Sequence, residues 1–209
     1  MAGLPKADWL VAGLGNPGPE YAGTRHNVGF AVVEGLAGAA RAAFSSGPRR
    51  SRVALARLGG ASVLLVEPLA FMNLSGEPVG ACLAALGLPP DRLLVVHDDL
   101  DLPLGRLKVV AEAGAAGHRG VASIQEAIGT AAFPRVRVGI GRPGEAQDAA
   151  EHVLSAFTEA EGPLVAEAVA RAADAVRSVI LQGPAAAMNR FNTRAARSLD
   201  RSGESPERR

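Results

Sequence analysis

At 209 residues the chain is long enough for one substantial domain or two small ones. Folding at this size buries roughly 70% of the unfolded surface, so no disulfide or metal staple is needed. Lys+Arg 22 against Asp+Glu 21 leave a formal charge of +1, which excludes a bulk field for a polyanion and confines any nucleic-acid site to a local patch. One cysteine excludes a disulfide framework and a Cys-based zinc site, and no apolar run approaches the ~18 residues of a membrane span. The opening residues reach a structured pattern too soon for a signal peptide, so a cytoplasmic, reducing compartment is expected. The bias to 41 Ala and 20 Arg against 2 Lys reads as base composition and carries no functional weight.

Residues 9–14 form a continuous apolar run that predicts a buried strand, and 28–43 have helical spacing. A strand is expected at 62–66 and a helix at 76–86, with Ser75 in the N-cap position and Gly87 as its stop. Strands at 93–97 and 107–110, a short helix at 120–128 and a strand at 136–140 follow. The clearest helix is 164–181, where Val165, Val169, Ala172, Val176 and Val179 form one stripe and Gly183-Pro184 end it. Strands alternating with helices predict one α/β domain over 1–192, with a mixed, mostly parallel twisted sheet flanked by helices. Residues 193–209, with five Arg and three acids, read as a disordered basic tail. Ligands of such folds lie beyond the carboxyl ends of the strands, which says where to look.

Residues 13–18 read Gly-Leu-Gly-Asn-Pro-Gly directly after a strand, a formal match to a dinucleotide-binding turn. That turn needs a helix beginning within it to aim amides at a pyrophosphate. Here Pro17, Pro19, Gly23, Asn27 and Gly29 interrupt every residue such a helix would use. A rigid extended loop is expected instead, holding Asn16 at a strand end with its amide free.

Four segments carry polar residues that a core has no use for: Asn16, the loop 21–27, residues 71–76 and the run His97-Asp98-Asp99-Leu100-Asp101. Read singly, His26 is a solvated loop histidine and Asp98 a turn or cap residue; their joint occurrence is what points to chemistry. His97 with Asp98, Asp99 and Asp101 is a conceivable Mg²⁺ set, but strand alternation sends Asp98 and Asp99 to opposite sides, so no metal is expected. Cys82, amid Gly, Ala and Leu, reads as packing. There is no Gly-x-Ser-x-Gly elbow.

Together, Gly13-Leu14-Gly15-Asn16-Pro17-Gly18, Tyr21, Thr24-Arg25-His26-Asn27, Phe71-Met72-Asn73-Leu74-Ser75-Gly76 and His97-Asp98-Asp99-Leu100-Asp101-Leu102-Pro103 resemble the bacterial peptidyl-tRNA hydrolase family. The similarity resumes at Gly117-His118, at Arg137-Val138-Gly139-Ile140-Gly141-Arg142-Pro143-Gly144 and at Met188-Asn189-Arg190-Phe191. The resemblance implies hydrolysis of the ester between a peptide and the tRNA 3′ end, releasing tRNA from stalled or dropped-off chains, with no cofactor. Histidine suits the work of taking a proton from water at neutral pH, so His26 is the expected base and Asp98 the carboxylate that orients it. By similarity, Asn16 lies beside the base and helps distinguish an N-blocked peptidyl group. Tyr21, Phe71 and Asn73 line the approach of the 3′ end, where stacking and amide contacts read splayed bases. Met72 is expected at the ligand or in the core.

The chain departs from that pattern in the loop 115–122. Arg119 stands where the family has an asparagine contacting the 3′ end, Ala122 and Val110 stand where lysines occur, and His118 and Arg137 are retained as expected tRNA contacts. Arg106 and Arg119 are candidates to restore the lost charge, since phosphate contacts supply most sequence-independent affinity. The expectation is a complete hydrolytic centre with altered tRNA recognition in a monomer. A non-catalytic RNA-binding homologue, or an esterase for another blocked aminoacyl adduct, remains the alternative.

Overall fold

Runs of leucine and β-branched side chains decide where the sheet forms, because a strand covered by helices on both faces must be apolar on both. The computed structural model describes residues 4–144 and 148–193. Its strands are β1 (Trp9–Gly13), β2 (Ser45–Gly47), β3 (Ser51–Leu58), β4 (Ala61–Pro68), β5 (Leu93–Asp99), β6 (Leu107–Val110) and β7 (Arg135–Gly139). They form one sheet in the order β2-β3-β4-β1-β5-β7-β6. The central four, β4-β1-β5-β7, are parallel, and β2, β3 and β6 join antiparallel at the edges. Every residue of β1 and β5 is buried, as the continuous apolar runs require.

Six helices cover the sheet: α1 (Val28–Ala39), α2 (Gly76–Leu86), α3 (Arg119–Ile128), α4 (Ala149–Leu154), α5 (Gly162–Gln182) and α6 (Pro184–Phe191). Alternate residues of β1 divide the core. Trp9 and Val11 pack with α1, α5 and α6 on one face, whereas Leu10 and Ala12 pack with α2 and α3 on the other. Each fully buried Leu or Val contributes ~1.5–3 kcal/mol, so these two faces carry the fold. Glycine makes one contact possible: a Cβ on Gly29 would overlap backbone atoms of Leu14 and Val96, so only glycine lets α1 lie this close to β1 and β5.

Several expectations need correction. The helix expected over 28–43 ends at Ala39, and the chain turns through Arg41 at a positive φ of 52°. Strands β2 and β3 and helices α4 and α6 were not anticipated; α6 begins at Pro184, the residue expected only to stop α5. Ser75 does not cap α2, because its hydroxyl donates back to the Met72 carbonyl at 2.9 Å. The expected glycine stop is present, with Gly87 left-handed at φ 64°. Beyond Thr193, the segment expected as a basic tail lies outside the described residues.

Candidate active site

The carboxyl ends of β1, β4, β5 and β7 open into one cleft of about 940 Å³. Each contributes a loop: Asn16 follows β1, Phe71 to Asn73 follow β4, Asp98 and Asp99 end β5, and Arg142 follows β7. No dinucleotide-type helix starts in the glycine-rich loop after β1. Two short turns, Pro19–Tyr21 and Arg25–Asn27, precede α1, and the second delivers His26 to the cleft.

The centre of the cleft is a buried carboxylate shared by two imidazoles. His26 Nδ1 lies 2.8 Å from Asp98 Oδ1 and His118 Nε2 lies 2.9 Å from the same oxygen. An ionised carboxylate only accepts, so both nitrogens carry protons. In the neutral imidazole the acceptor nitrogen of His26 is then Nε2, which has no partner among the described residues. Its geometry is that of a base. On His118 the other nitrogen, Nδ1, accepts from Val121 N at 3.2 Å, which independently fixes the Nε2–H tautomer. Burial alone would raise the Asp98 carboxyl, but the electrostatic attraction of the His118 ring and the hydrogen bonds donated by His118 and His26 outweigh it and hold the group well below the usual carboxylate range. His97 stacks edge-on against His118 at 4.5 Å, and burial drives its imidazole well below the ordinary value, so it stays neutral. Its Nδ1 donates to the Asp98 carbonyl at 2.6 Å.

His26, Asp98 and His118 offer three ligand atoms within 4.8 Å of one another, the set a metal would use. The hydrogen bonds oppose one. A neutral imidazole bound to metal through Nε2 must carry its proton on Nδ1, where the Val121 amide already points its own proton.

Asn16 borders this centre. Its Oδ1 accepts from Met72 N at 2.8 Å, so the expected free amide is free only at Nδ2, which has no partner among the described residues. Asn27, quoted in the motif but given no role by the sequence, clamps it. Its Oδ1 accepts from Asn16 N at 2.8 Å and its Nδ2 donates to Asn16 O at 3.0 Å. Arg25 anchors the turn bearing His26 through two bonds to Glu161 at 3.0 and 2.8 Å, across 136 positions of sequence. Nothing in a single sequence marks such a partner.

The remaining expected site residues divide. Phe71, 58% exposed, and Asn73 line the cleft with open side chains. Met72 is buried, and its backbone amide donates to Asn16 Oδ1. Tyr21 lies on its turn and is not among the cleft-lining residues. His118, expected to touch tRNA, has both ring nitrogens committed inside the protein, to Asp98 and to Val121 N. Arg137 lines the cleft but is tied to Asp99 at 2.6 Å, and Arg142 to Asp101 at 2.6 Å. Asp98 and Asp99 do diverge as strand alternation requires, one to the histidines and one to Arg137. Arg106 bonds the Thr193 carbonyl and is not among the cleft-lining residues. Arg119, exposed at the first turn of α3, is the cleft-lining arginine with no acidic partner among the described residues.

The sequence profile described as peptidyl-tRNA hydrolase matches residues 10–199. The chain belongs to the peptidyl-tRNA hydrolase family. Among relatives in that family, the Chloroflexus aggregans peptidyl-tRNA hydrolase is 46% identical over 185 residues, covering 88% of this chain and 98% of that one. The Frankia casuarinae peptidyl-tRNA hydrolase is 47% identical over 184 residues, covering 88% and 93%. A crystal structure of the Acinetobacter baumannii member superposes with a TM-score of 0.83 at 33% identity, covering 91% of this chain and 98% of that one. The fold is that of the family.

Proposed function

We propose that the chain hydrolyses the ester joining a peptide to the 3′-terminal ribose of tRNA, with His26 as general base. The observation that carries this reading is the His26 imidazole, which lines the cleft and is bonded to Asp98 through Nδ1. His26 Nε2 takes a proton from water as the oxygen attacks the ester carbonyl, and Asp98 stabilises the imidazolium that forms. Collapse of the tetrahedral intermediate breaks the bond to the ribose oxygen, which recovers the proton from His26. The products are a peptide carboxylate and tRNA with a free terminal hydroxyl. His118 keeps Asp98 in register for this cycle. No metal is assigned a step.

The Asn16 Nδ2 is proposed to meet the acylated amine that distinguishes a peptidyl from an aminoacyl group. Phe71 and Asn73 are proposed to receive the 3′ end by stacking and by amide contacts. With Arg137 and Arg142 each held by an aspartate, Arg119 is the cation proposed to meet its phosphates. The working unit is proposed as residues 1–192 acting as a monomer, in the cytoplasm, where translation releases peptidyl-tRNA to be recycled. No helix among the described residues is long and apolar enough to cross a membrane.

Single-turnover release from N-acetyl-aminoacyl-tRNA, beside unblocked aminoacyl-tRNA, tests the reading. Cleavage of the blocked substrate alone is expected, and Asn16→Ala is expected to narrow that preference. Equal cleavage of both by the wild type would overturn it.

A further inference from the structure

A second cavity, of about 400 Å³, shares one lining residue with the catalytic cleft, Asn16. Val28 and Phe30 give it an apolar wall, and Glu34, Arg52 and Glu67 also line it. The acids outnumber the base. Glu67, near the end of β4, is 1% exposed, and its Oε2 pairs with Arg52 Nη2 at 2.7 Å. The same Nη2 also holds Glu34 Oε1 at 3.2 Å, and the guanidinium lies 4.9 Å from the Phe44 ring centroid. One guanidinium therefore serves two carboxylates. Glu67 Oε1 is left buried with no donor. A buried oxygen without a partner is rare because water is no longer there to serve it, and a charged donor restores the most.

We propose that this cavity binds a small organic cation, a protonated amine or guanidinium on an apolar stem, with its charge between Glu67 Oε1 and Glu34 and its stem against Phe30 and Val28. Two sources share that chemistry: a free amine, or a basic side chain of the peptide in the neighbouring cleft. The second source rests on the proposed function.

Calorimetric titration of the full chain with n-butylammonium and with n-butanol, at pH 8, tests the site. The amine is expected to bind and the alcohol not. Affinity for the amine is expected to fall at least tenfold in both Glu67→Gln and Glu34→Gln. Glu34 is exposed, so its variant reads the charge even if Glu67→Gln fails to fold. Equal binding of the alcohol, or amine affinity unchanged in Glu34→Gln, would overturn the proposal. A second arm compares single-turnover release from tRNA bearing N-acetyl-lysyl-alanine and N-acetyl-norleucyl-alanine. A lysine advantage lost in Glu34→Gln identifies the peptide as the source, and equal rates with amine binding intact identify a free amine. No release from either tRNA would sink the proposed function while leaving amine binding to stand.

Discussion

At the scale of single residues, the site turns on one carboxylate oxygen that accepts from two imidazoles. Either histidine alone would leave Asp98 freer to rotate, and rotation moves the base. Replacing His118 separates its two jobs. His118→Asn retains a capping acceptor for Val121 N but does not reach Asp98, so stability is expected to hold while kcat falls roughly 10–100-fold with KM little changed, as for a misplaced catalytic group. His118→Ala loses the cap as well and is expected to cost ~1 kcal/mol in denaturant unfolding. Unchanged kcat in His118→Asn would remove His118 from the positioning network. That His26, Asp98 and Asn16 meet at one cleft was legible in the sequence because the motifs carrying them resemble the family's in order and spacing. The role of His118 was not, since a loop histidine beside an arginine carries no sign of the carboxylate it will meet 20 positions away. The same holds for Asn27 and Arg25, whose partners are set by the fold.

At the scale of elements, the four parallel strands announce themselves because apolar runs are buried on both faces. β3 escaped because Arg52 and Arg57 confine its apolar stretch to Val53-Ala54-Leu55-Ala56, and its pairing with β4 is what makes it a strand. α6 escaped because proline reads as a terminator, although proline also suits a helix's first turn, where its missing N–H costs nothing. The glycines of the first loop were legible as something other than a nucleotide turn. Gly29 carries the helix–sheet approach that brings His26 to β5. Gly29→Ala forces a methyl into the backbone of Leu14 and Val96 and is expected to cost ~1–3 kcal/mol of stability, read from urea midpoints. A neutral effect would mean that α1 is free to shift outward and that its distance from the sheet is not fixed by this contact.

At the scale of the whole molecule, the balanced charge hides an uneven interior. Burial first, against the pull of Arg52, lifts the Glu67 carboxyl from 4.5 to about 7. The folded state therefore holds that proton more tightly than the unfolded chain. The stability linked to it is complete below about pH 4.5 and is lost as pH rises through about 7, by up to ~3 kcal/mol. Thermal unfolding of the wild type between pH 4.5 and 8 is expected to show that decline, and Glu67→Gln is expected to flatten it. Asp98 runs the other way: its depressed carboxyl supports the fold above the ordinary carboxylate range and ceases to do so as the solution is acidified. These opposed buried acids are invisible in a net charge of +1. In the proposed function, one imidazole, oriented by one carboxylate, activates the water that cleaves peptidyl-tRNA. The most direct test is single-turnover release of N-acetyl-aminoacyl groups from tRNA by the wild type and by His26→Ala, with tRNA binding measured on both. The expected result is a loss of at least ~10²-fold in the rate with binding unchanged, the cost of removing a general base. Turnover near the wild-type rate in His26→Ala would contradict the mechanism.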